Sequence, residues 1–357
     1  MHLITGLGTG GAERMLTHLV TGSKNPDIRH VVVSMMGKDV FGKEIEQAGV
    51  ELFTLNMSNK LSALKGLWHL HKIIKKIKPG TLQTWLYHAD LMGSIYKKLF
   101  GFPGKLLWNI RCSNMDDARY NWLTKILTIL SAIPNQVLVN SKSGLNHHKV
   151  LGYKPQNWAV LPNGINVERF APNANARKKL EEDYQLNATD FIVGVVARND
   201  PMKAYGSFLE AFATLHHKNP TLKAILVGEG TKKLPKQAGV TALGQRGDIE
   251  SILSGFDVLC MPSSHGEGFP NVVVEAMACG TPCVVTDVGD ALDIIGDTGI
   301  GIAPEFTSDI VYGLEKAASL NKKTLDKMGR DARRRIVENW ALPKIIDSYN
   351  QIYLNRN

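Results

Sequence analysis

Short runs of β-branched and aliphatic residues recur along this chain, each followed by a stretch with helical spacing. That alternation restricts the fold more than any other feature. The runs are Val31-Val32-Val33, Gln136–Val139, Phe191–Val196, Ala224–Val227, Asp257–Met261 and Pro282–Thr286. Strands that alternate with helices argue for parallel α/β layers. No fixed-period repeat and no low-complexity tract breaks the pattern.

At 357 residues the chain exceeds one average domain, which favours two domains sharing a cleft. The clearest boundary is Leu161-Pro162-Asn163-Gly164, where a proline and an Asn-Gly pair interrupt the alternation. The expected domains are therefore residues 1–165 and 166–342. Near the end, Arg330–Val337 and Pro343–Leu354 both have helical spacing, separated by Asn339-Trp340-Ala341-Leu342, and the last helix need not stay with the second domain.

Hydrophobic residues at 44% and charged residues at 21% exclude a disordered chain. The net charge of +9 is unevenly placed. Residues 1–165 hold 20 Lys and Arg against 9 Asp and Glu, a balance of +11, which leaves −2 for the remainder. A basic half suits nucleic acid, anionic lipid or an anionic acceptor, and net charge alone does not choose among them. Lys60–Lys78 interleaves Leu61, Leu64, Leu67, Trp68, Ile73, Ile74 and Ile77 with lysines and reads as a basic amphipathic helix, able to lie on a membrane or to pack on its own core. Four cysteines without C-x-x-C spacing fit a reducing compartment rather than a disulfide scaffold or zinc site. No secretory leader opens the sequence, and no apolar run reaches membrane-spanning length, so a cytoplasmic protein is expected, peripheral to a membrane if it meets one.

Three segments carry chemistry. Gly6, Gly8 and Gly11 in Thr5–Gly11 match G-x-G-x-x-G between a strand-like start and a helix from about Ala12. Such a loop lets backbone N–H groups meet phosphate oxygens. A nicotinamide enzyme also needs an acid at the end of the second strand, and Ser34-Met35-Met36 supplies none. The loop therefore suits phosphate or acceptor, or is a plain glycine turn. In Val195–Lys203, Arg198 and Lys203 lie just beyond a strand, where fixed cations can stabilise a departing diphosphate without a metal. The sequence holds no Asp-x-Asp pair of the kind that would hold a divalent ion against a diphosphate. Glu267-Gly-Phe-Pro-Asn-Val-Val-Val-Glu275 follows a strand and loop, with Pro270 suited to the first helical position and Gly280 to the stop. Gly268 and Phe269 then sit at a helix N-terminus able to hold a phosphate or a sugar hydroxyl. One carboxylate can reach a sugar and the other a ribose.

Weaker signals lie in Val227–Gly230 and in Leu243-Gly244-Gln245-Arg246, glycine turns of which either can touch a base. His88, directly after Gln83–Tyr87, is read as an acceptor-side group or a hydrogen-bonded structural histidine.

Together these segments resemble the retaining glycosyltransferases of family 4, which have the GT-B fold of two Rossmann-like domains facing each other across a cleft. Gly10-Gly11-Ala12-Glu13 is similar to the family's N-terminal loop, Leu161–Asn166 to its linker, Arg198 with Lys203 to its diphosphate-binding pair, and Glu267 to Glu275 to its two-glutamate motif. The resemblance implies that the C-terminal domain binds the donor through Gly244, Arg246, Glu267, Gly268, Phe269, Pro270, Asn271, Val272 and Glu275 as well as the two cations. It adds Gly10 and Gly11 to the donor set, and Glu13, His88, Arg111 and Asn114 to the acceptor side. Glu275 would hold the ribose and Glu267 would lie beside the transferred sugar, with Glu267, Arg198, Lys203 and His88 as the catalytic set. The final helix, from about Pro343 to residue 357, would cross back to the N-terminal domain. The chain departs from relatives in surface polysaccharide assembly at Ile110-Arg111-Cys112-Ser113-Asn114, where those often carry histidine at the Cys112 position.

The expected activity is metal-independent transfer, with retention, from a nucleotide diphosphate sugar as co-substrate, uridine diphosphate being the expected nucleotide. The expected acceptor is a glycan or lipid-linked glycan. No cofactor and no nucleic-acid partner is expected, and the basic N-terminal half would face the cytosolic membrane surface. A nucleotide-sugar epimerase or hydrolase on the same fold is the alternative.

Overall fold

The computed structural model describes residues 1–57, 60–111, 117–304 and 306–355. The chain forms two compact units, one of Met1–Gly164 with Leu342–Asn357 and one of Ile165–Ala341.

In the first unit the order is β1 (His2–Ile4), α1 (Gly11–Gly22), β2 (Val31–Ser34), α2 (Gly42–Gln47), β3 (Glu51–Thr54), α3 (Lys60–Ile77), β4 (Thr81–Trp85), α4 (Tyr87–Phe100), β5 (Lys105–Ile110), α5 (Asp117–Leu130), β6 (Gln136–Val139), α6 (Lys142–Val150) and β7 (Trp158–Val160). The strands pair in parallel as β3-β2-β1-β4-β5-β6-β7. Interior strand β2 is buried along its whole length, whereas edge strand β3 is half-buried, as expected of a sheet covered on both faces but open at its margins. Helices α3, α4 and α5 bury Leu70, Ile73, Ile74, Tyr87, Met92, Tyr96, Leu123 and Leu127 in one core cluster, which places all three on the same side of the sheet.

The second unit runs α7 (Ala176–Tyr184), β8 (Phe191–Val196), α8 (Tyr205–Lys218), β9 (Leu222–Val227), β10 (Val240–Gly244), α9 (Ile249–Leu253), β11 (Val258–Met261), α10 (Asn271–Ala278), β12 (Cys283–Thr286), α11 (Ala291–Ile295), β13 (Ile300–Ile302), α12 (Thr307–Ala318) and α13 (Lys322–Trp340). Its parallel sheet has the order β10-β9-β8-β11-β12-β13. Helix α13 is much longer than the expected Arg330–Val337, because the Asn321 side chain caps it by accepting from the Thr324 N–H at 2.9 Å.

The last helix, α14 (Leu342–Leu354), belongs to the first unit. Pro343 is tolerated in its first turn, where no intrahelical N–H bond is lost. Tyr349 is fully buried, its ring 6.2 Å from that of Trp85, and Ser23 donates to Asn350 at 3.1 Å. Helix α14 is therefore part of the first unit's core, not a trailing tail.

Candidate active site

Both sheets reverse their winding once. In the first unit the chain runs outward from β1 through β2 to β3, then returns to β4 on the other side. In the second it runs from β8 to β9 and β10, then returns to β11. Ligands of open parallel sheets bind beyond the carboxyl ends of the strands at such a reversal. The segments that follow β1, β4, β8 and β11 are the glycine loop, His88, the Arg198–Lys203 pair and the loop to Glu267.

In the second unit the loops after β8 and β11 are laced together. Asp200 caps a 3-10 turn at Pro201–Lys203 by accepting from the Met202 N–H at 3.1 Å, and the Met202 carbonyl accepts from the Ser264 N–H at 2.9 Å. This brings the Lys203 ammonium onto the Glu267 carboxylate, which also accepts from the Ser263 hydroxyl at 2.7 Å. The lysine and glutamate side chains are only 19% and 10% exposed, so this ion pair is largely removed from water and its charges interact strongly. Thr286, at the end of β12, donates to the Ser263 carbonyl at 2.6 Å and holds the loop from beneath. Ser263 and Thr286 were not anticipated. Ser263 stands four residues before Glu267, a position from which a hydroxyl can reach that carboxylate.

Arg198 is different. Its side chain is 67% exposed and its guanidinium lies 3.5 Å from Asp200, a loose surface pair that leaves most of its donors open to a ligand. Beside it, Gly228 has φ of 143°, and a side chain there would strike the Ala197 carbonyl. Only glycine permits that approach.

Helix α10 begins at Asn271, one residue later than expected. Pro270 is its cap, not its first residue. With φ −70° and ψ 99° it is extended, and its carbonyl accepts from the Val273 N–H at 3.1 Å. The N–H groups of Asn271 and Val272 thus begin the helix, beside Gly268, whose carbonyl accepts from the Asp290 N–H at 2.8 Å. Gly289, with φ of 65°, packs so closely on the Glu267 and Gly268 backbone that a Cβ would lie 2.6 Å from the Glu267 carbonyl oxygen. Phe269 is buried in the core 6.1 Å from the Trp340 ring, so it can serve a ligand only through backbone, and half-buried Val272 packs against the same core. Glu275 is half-buried in the second turn of α10. Gly280, with φ of 79°, follows the helix as its left-handed stop.

Gly244 and Arg246 stand off from the Lys203–Glu267 pair, although the Gly244 carbonyl accepts from the Gly228 N–H at 2.8 Å. Gly244 ends edge strand β10, two strand spacings or about 10 Å from β8. Its N–H donates to Thr231 at 3.1 Å, and Arg246 is held by both oxygens of Asp248 at 2.9 and 2.8 Å.

In the first unit, Gly10 caps α1 and Gly11 begins it. The Glu13 carboxylate folds back over Gly10 so tightly that a side chain at Gly10 would collide with it, and partial burial raises its pKa. His88 is exposed in the first turn of α4, not in a loop. The start of α4 is anchored from below. The Tyr87 hydroxyl bonds His148 Nε2 at 2.8 Å, and His148 Nδ1 bonds the Gly144 carbonyl at 2.7 Å. Leu86 has φ 73° and ψ 156°, a region other residues than glycine rarely occupy, and such strain gathers at functional sites. Asp90, one turn on, is wholly buried beneath Thr84.

Arg111, expected on the acceptor side, is used internally. Its guanidinium donates to the Leu161 carbonyl at 3.1 Å, to Asn163 at 2.8 Å and to the Tyr349 hydroxyl, with the Trp85 and Tyr349 rings 5.3 and 5.7 Å away. Burial pushes its pKa down to about 9. It fastens α14 to the segment after β7. Asn114 and Cys112 lie outside the described residues. Among the described residues no group of three His, Cys, Asp or Glu side chains is placed to hold a metal ion.

Two family descriptions match, "Glycosyltransferase Family 4" over residues 9–169 and "Glycosyl transferases group 1" over residues 190–319. Among curated relatives, the UDP-Gal:alpha-D-GlcNAc-diphosphoundecaprenol alpha-1,3-galactosyltransferase of Escherichia coli is 24% identical over 82% of this chain and 79% of its own. The capsular polysaccharide biosynthesis glycosyltransferase CapM of Staphylococcus aureus is 24% identical over 94% and 96%. Among solved structures, Anabaena Alr3699/HepE in complex with UDP superimposes with a TM-score of 0.86 at 20% identity, covering 98% of both chains. WaaG, a glycosyltransferase involved in lipopolysaccharide biosynthesis, gives 0.71 at 14% identity over 99% and 100%. With both sheets of the fold present and the two descriptions spanning most of its length, this chain belongs to the family 4 glycosyltransferases of GT-B fold.

Proposed function

We propose that this enzyme moves a sugar, with retention at the anomeric carbon and without a metal, from a uridine diphosphate sugar to a lipid-linked glycan in surface polysaccharide biosynthesis. The observation that carries the reading is the Lys203–Glu267 pair at the reversal of the second sheet, beside the N-terminus of α10 and the exposed Arg198. The donor side of the proposal is supported by HepE, solved with UDP and with UDP-glucose. The acceptor side is supported by relatives whose names specify diphosphoundecaprenol-linked acceptors.

In this reading the diphosphate lies against Arg198, Lys203 and the first N–H groups of α10. Lys203 has three donors, one spent on Glu267, so it can bind a phosphate oxygen without leaving its partner. Glu275 holds the ribose, and the base extends toward Gly244, about 10 Å away along the sheet. The anomeric carbon–oxygen bond to phosphate breaks while the acceptor oxygen bonds that carbon from the same face, and the acceptor proton passes to the departing phosphate. Lys203, held by Glu267 before the reaction, stabilises the developing charge with little reorganisation, and Arg198 adds its donors from the exposed side. Glu267 holds Lys203 in place and faces the sugar. Glu13 and His88, in the first unit, are assigned to the acceptor, and the basic surface of that unit to the cytosolic membrane face.

The test is turnover of UDP-sugars with a polyprenyl-diphosphate-linked acceptor in the presence of EDTA, with the product's anomeric coupling read by proton NMR. Loss of activity in Lys203→Ala and Glu275→Ala is expected. Full activity in either variant, or equally fast donor consumption without acceptor, would refute the assignment.

A further inference from the structure

The first unit carries a surface that the site does not use. Among the described residues, seven of the fifteen large hydrophobic side chains exposed to solvent fall on α3, α4 and α5: Leu64, Trp68, Ile95, Leu99, Trp122, Ile126 and Ile129. Isolated exposed hydrophobics are ordinary, but a concentration on three helices of one layer marks an interaction surface. The helical spacing is regular, with Leu64 and Trp68, then Ile95 and Leu99, then Trp122 and Ile126 each four residues apart. Each helix thus shows one apolar stripe to the core and another to solvent. Trp68 is 55%, Trp122 58% and Ile129 80% exposed.

Charge selects the partner. Residues 60–100 contain eight lysines and a single acid, Asp90, which is buried. Lys65, Lys72, Lys75, Lys76 and Lys98 are exposed among the apolar stripes, and Lys125 stands beside Ile126 on α5. A face of lysines alone would suit any polyanion. Here tryptophan, leucine and isoleucine are exposed among the lysines, and that combination matches an anionic headgroup layer lying over acyl chains. Among the described residues no helix is long and apolar enough to cross a bilayer, so the contact inferred is one of lying on the surface.

We infer that the α3–α4–α5 face is the membrane-docking surface of this enzyme, with the indole and aliphatic side chains entering the headgroup boundary of an anionic bilayer and the lysines binding its phosphates. The inference rests on the proposed lipid-linked acceptor and names the surface that brings the enzyme to it. It assigns apolar insertion to α4 and α5 as well as to the basic α3.

Flotation of the full chain with vesicles tests it. Wild type is expected to float with phosphatidylethanolamine–phosphatidylglycerol vesicles and not with phosphatidylcholine alone, and to be released in part by high salt. Leu64→Ser with Trp68→Ser, and Trp122→Ser with Ile129→Ser, are expected to lower the floated fraction about tenfold while the thermal shift given by UDP stays at the wild-type value. Brominated lipid is expected to quench Trp68 or Trp122 fluorescence in the bound state. Wild type that stays unbound, or serine variants that float like wild type, would overturn the inference. So would RNA binding that depends on the lysines but not on the apolar side chains. Vesicle binding with no UDP-sugar turnover would leave this surface standing and remove the proposed reaction instead.

Discussion

Asp90 offers a test that is independent of any assay of activity. Its side chain is fully buried beneath the first turn of α4, and burial raises its pKa from 3.8 to about 8, against the opposing hydrogen bond from Thr84. The folded protein thus holds this proton more tightly than the unfolded chain. Between pH 4 and 8 folding is proton-linked, the contribution being fully present below the unfolded pKa and lost as pH rises through the folded one. At about 1.4 kcal/mol per unit, some four units correspond to roughly 5 kcal/mol lost across that window, with relaxation of the site reducing it. Asp90→Asn keeps the shape and carries no charge at any pH. Its amide can donate to Thr84, whose hydroxyl is then free to donate to the Leu107 carbonyl, 3.2 Å away. The variant is expected to match wild type near pH 4.5 and to exceed it by several kcal/mol at pH 8. Urea unfolding followed by tryptophan fluorescence measures this, because five of the six tryptophans lie in the first unit. If wild type and Asp90→Asn show the same slope of midpoint against pH, the buried neutral acid is not there and the reasoning fails.

Other expectations follow from the site and its supports. Lys203→Ala is expected to lower kcat/KM at least about a hundredfold and to weaken UDP binding in calorimetry, since it removes a preset cation and breaks a largely buried ion pair; binding equal to wild type would be inconsistent with this. His88→Asn should lower turnover with the UDP thermal shift unchanged, and a fall in both would move His88 away from the acceptor. Gly228→Ala forces a side chain into a backbone carbonyl at φ 143° and should cost about 3 kcal/mol in unfolding free energy. Arg111→Met leaves Asn163, the Leu161 carbonyl and Tyr349 without their common donor, and should cost about 3 kcal/mol while changing KM for donor little; a change in acceptor KM alone would restore Arg111 to the acceptor side.

Much of the architecture could be read from local pattern because continuous apolar runs between helical stretches suit only buried parallel strands. Gly280 could be read for the same reason, since a helix stop with φ of 79° needs glycine. The pairing of Lys203 with Glu267 could not. The two are 64 positions apart, and they meet only because β11 returns to lie beside β8, a strand order that periodicity does not encode. The internal partners of Arg111 were hidden for a related reason. Its partners stand 52 and 238 positions away, and an arginine in sequence looks the same whether it faces a ligand or a buried tyrosine. The strained backbone ahead of His88 was equally hidden, because leucine is a residue one would not choose for φ of 73°.

The path of the chain between its units has a consequence for how the molecule can be rebuilt. The second unit is one unbroken stretch, and its ends are joined, Ile165 bridging to Ala341 and its N–H bonding the Trp340 carbonyl at 2.9 Å. The interrupted ends of the first unit also meet, since a methyl group on Gly164 would sit 2.9 Å from the Leu342 Cα. The chain is thus one domain spliced into another at a single point. Residues 165–341 form a cassette with adjacent termini, which can be exchanged for that of a relative through two neighbouring junctions, and the host can be closed by joining Gly164 directly to Leu342. The proposed donor site then travels with the cassette, without disturbing the core that α14 completes.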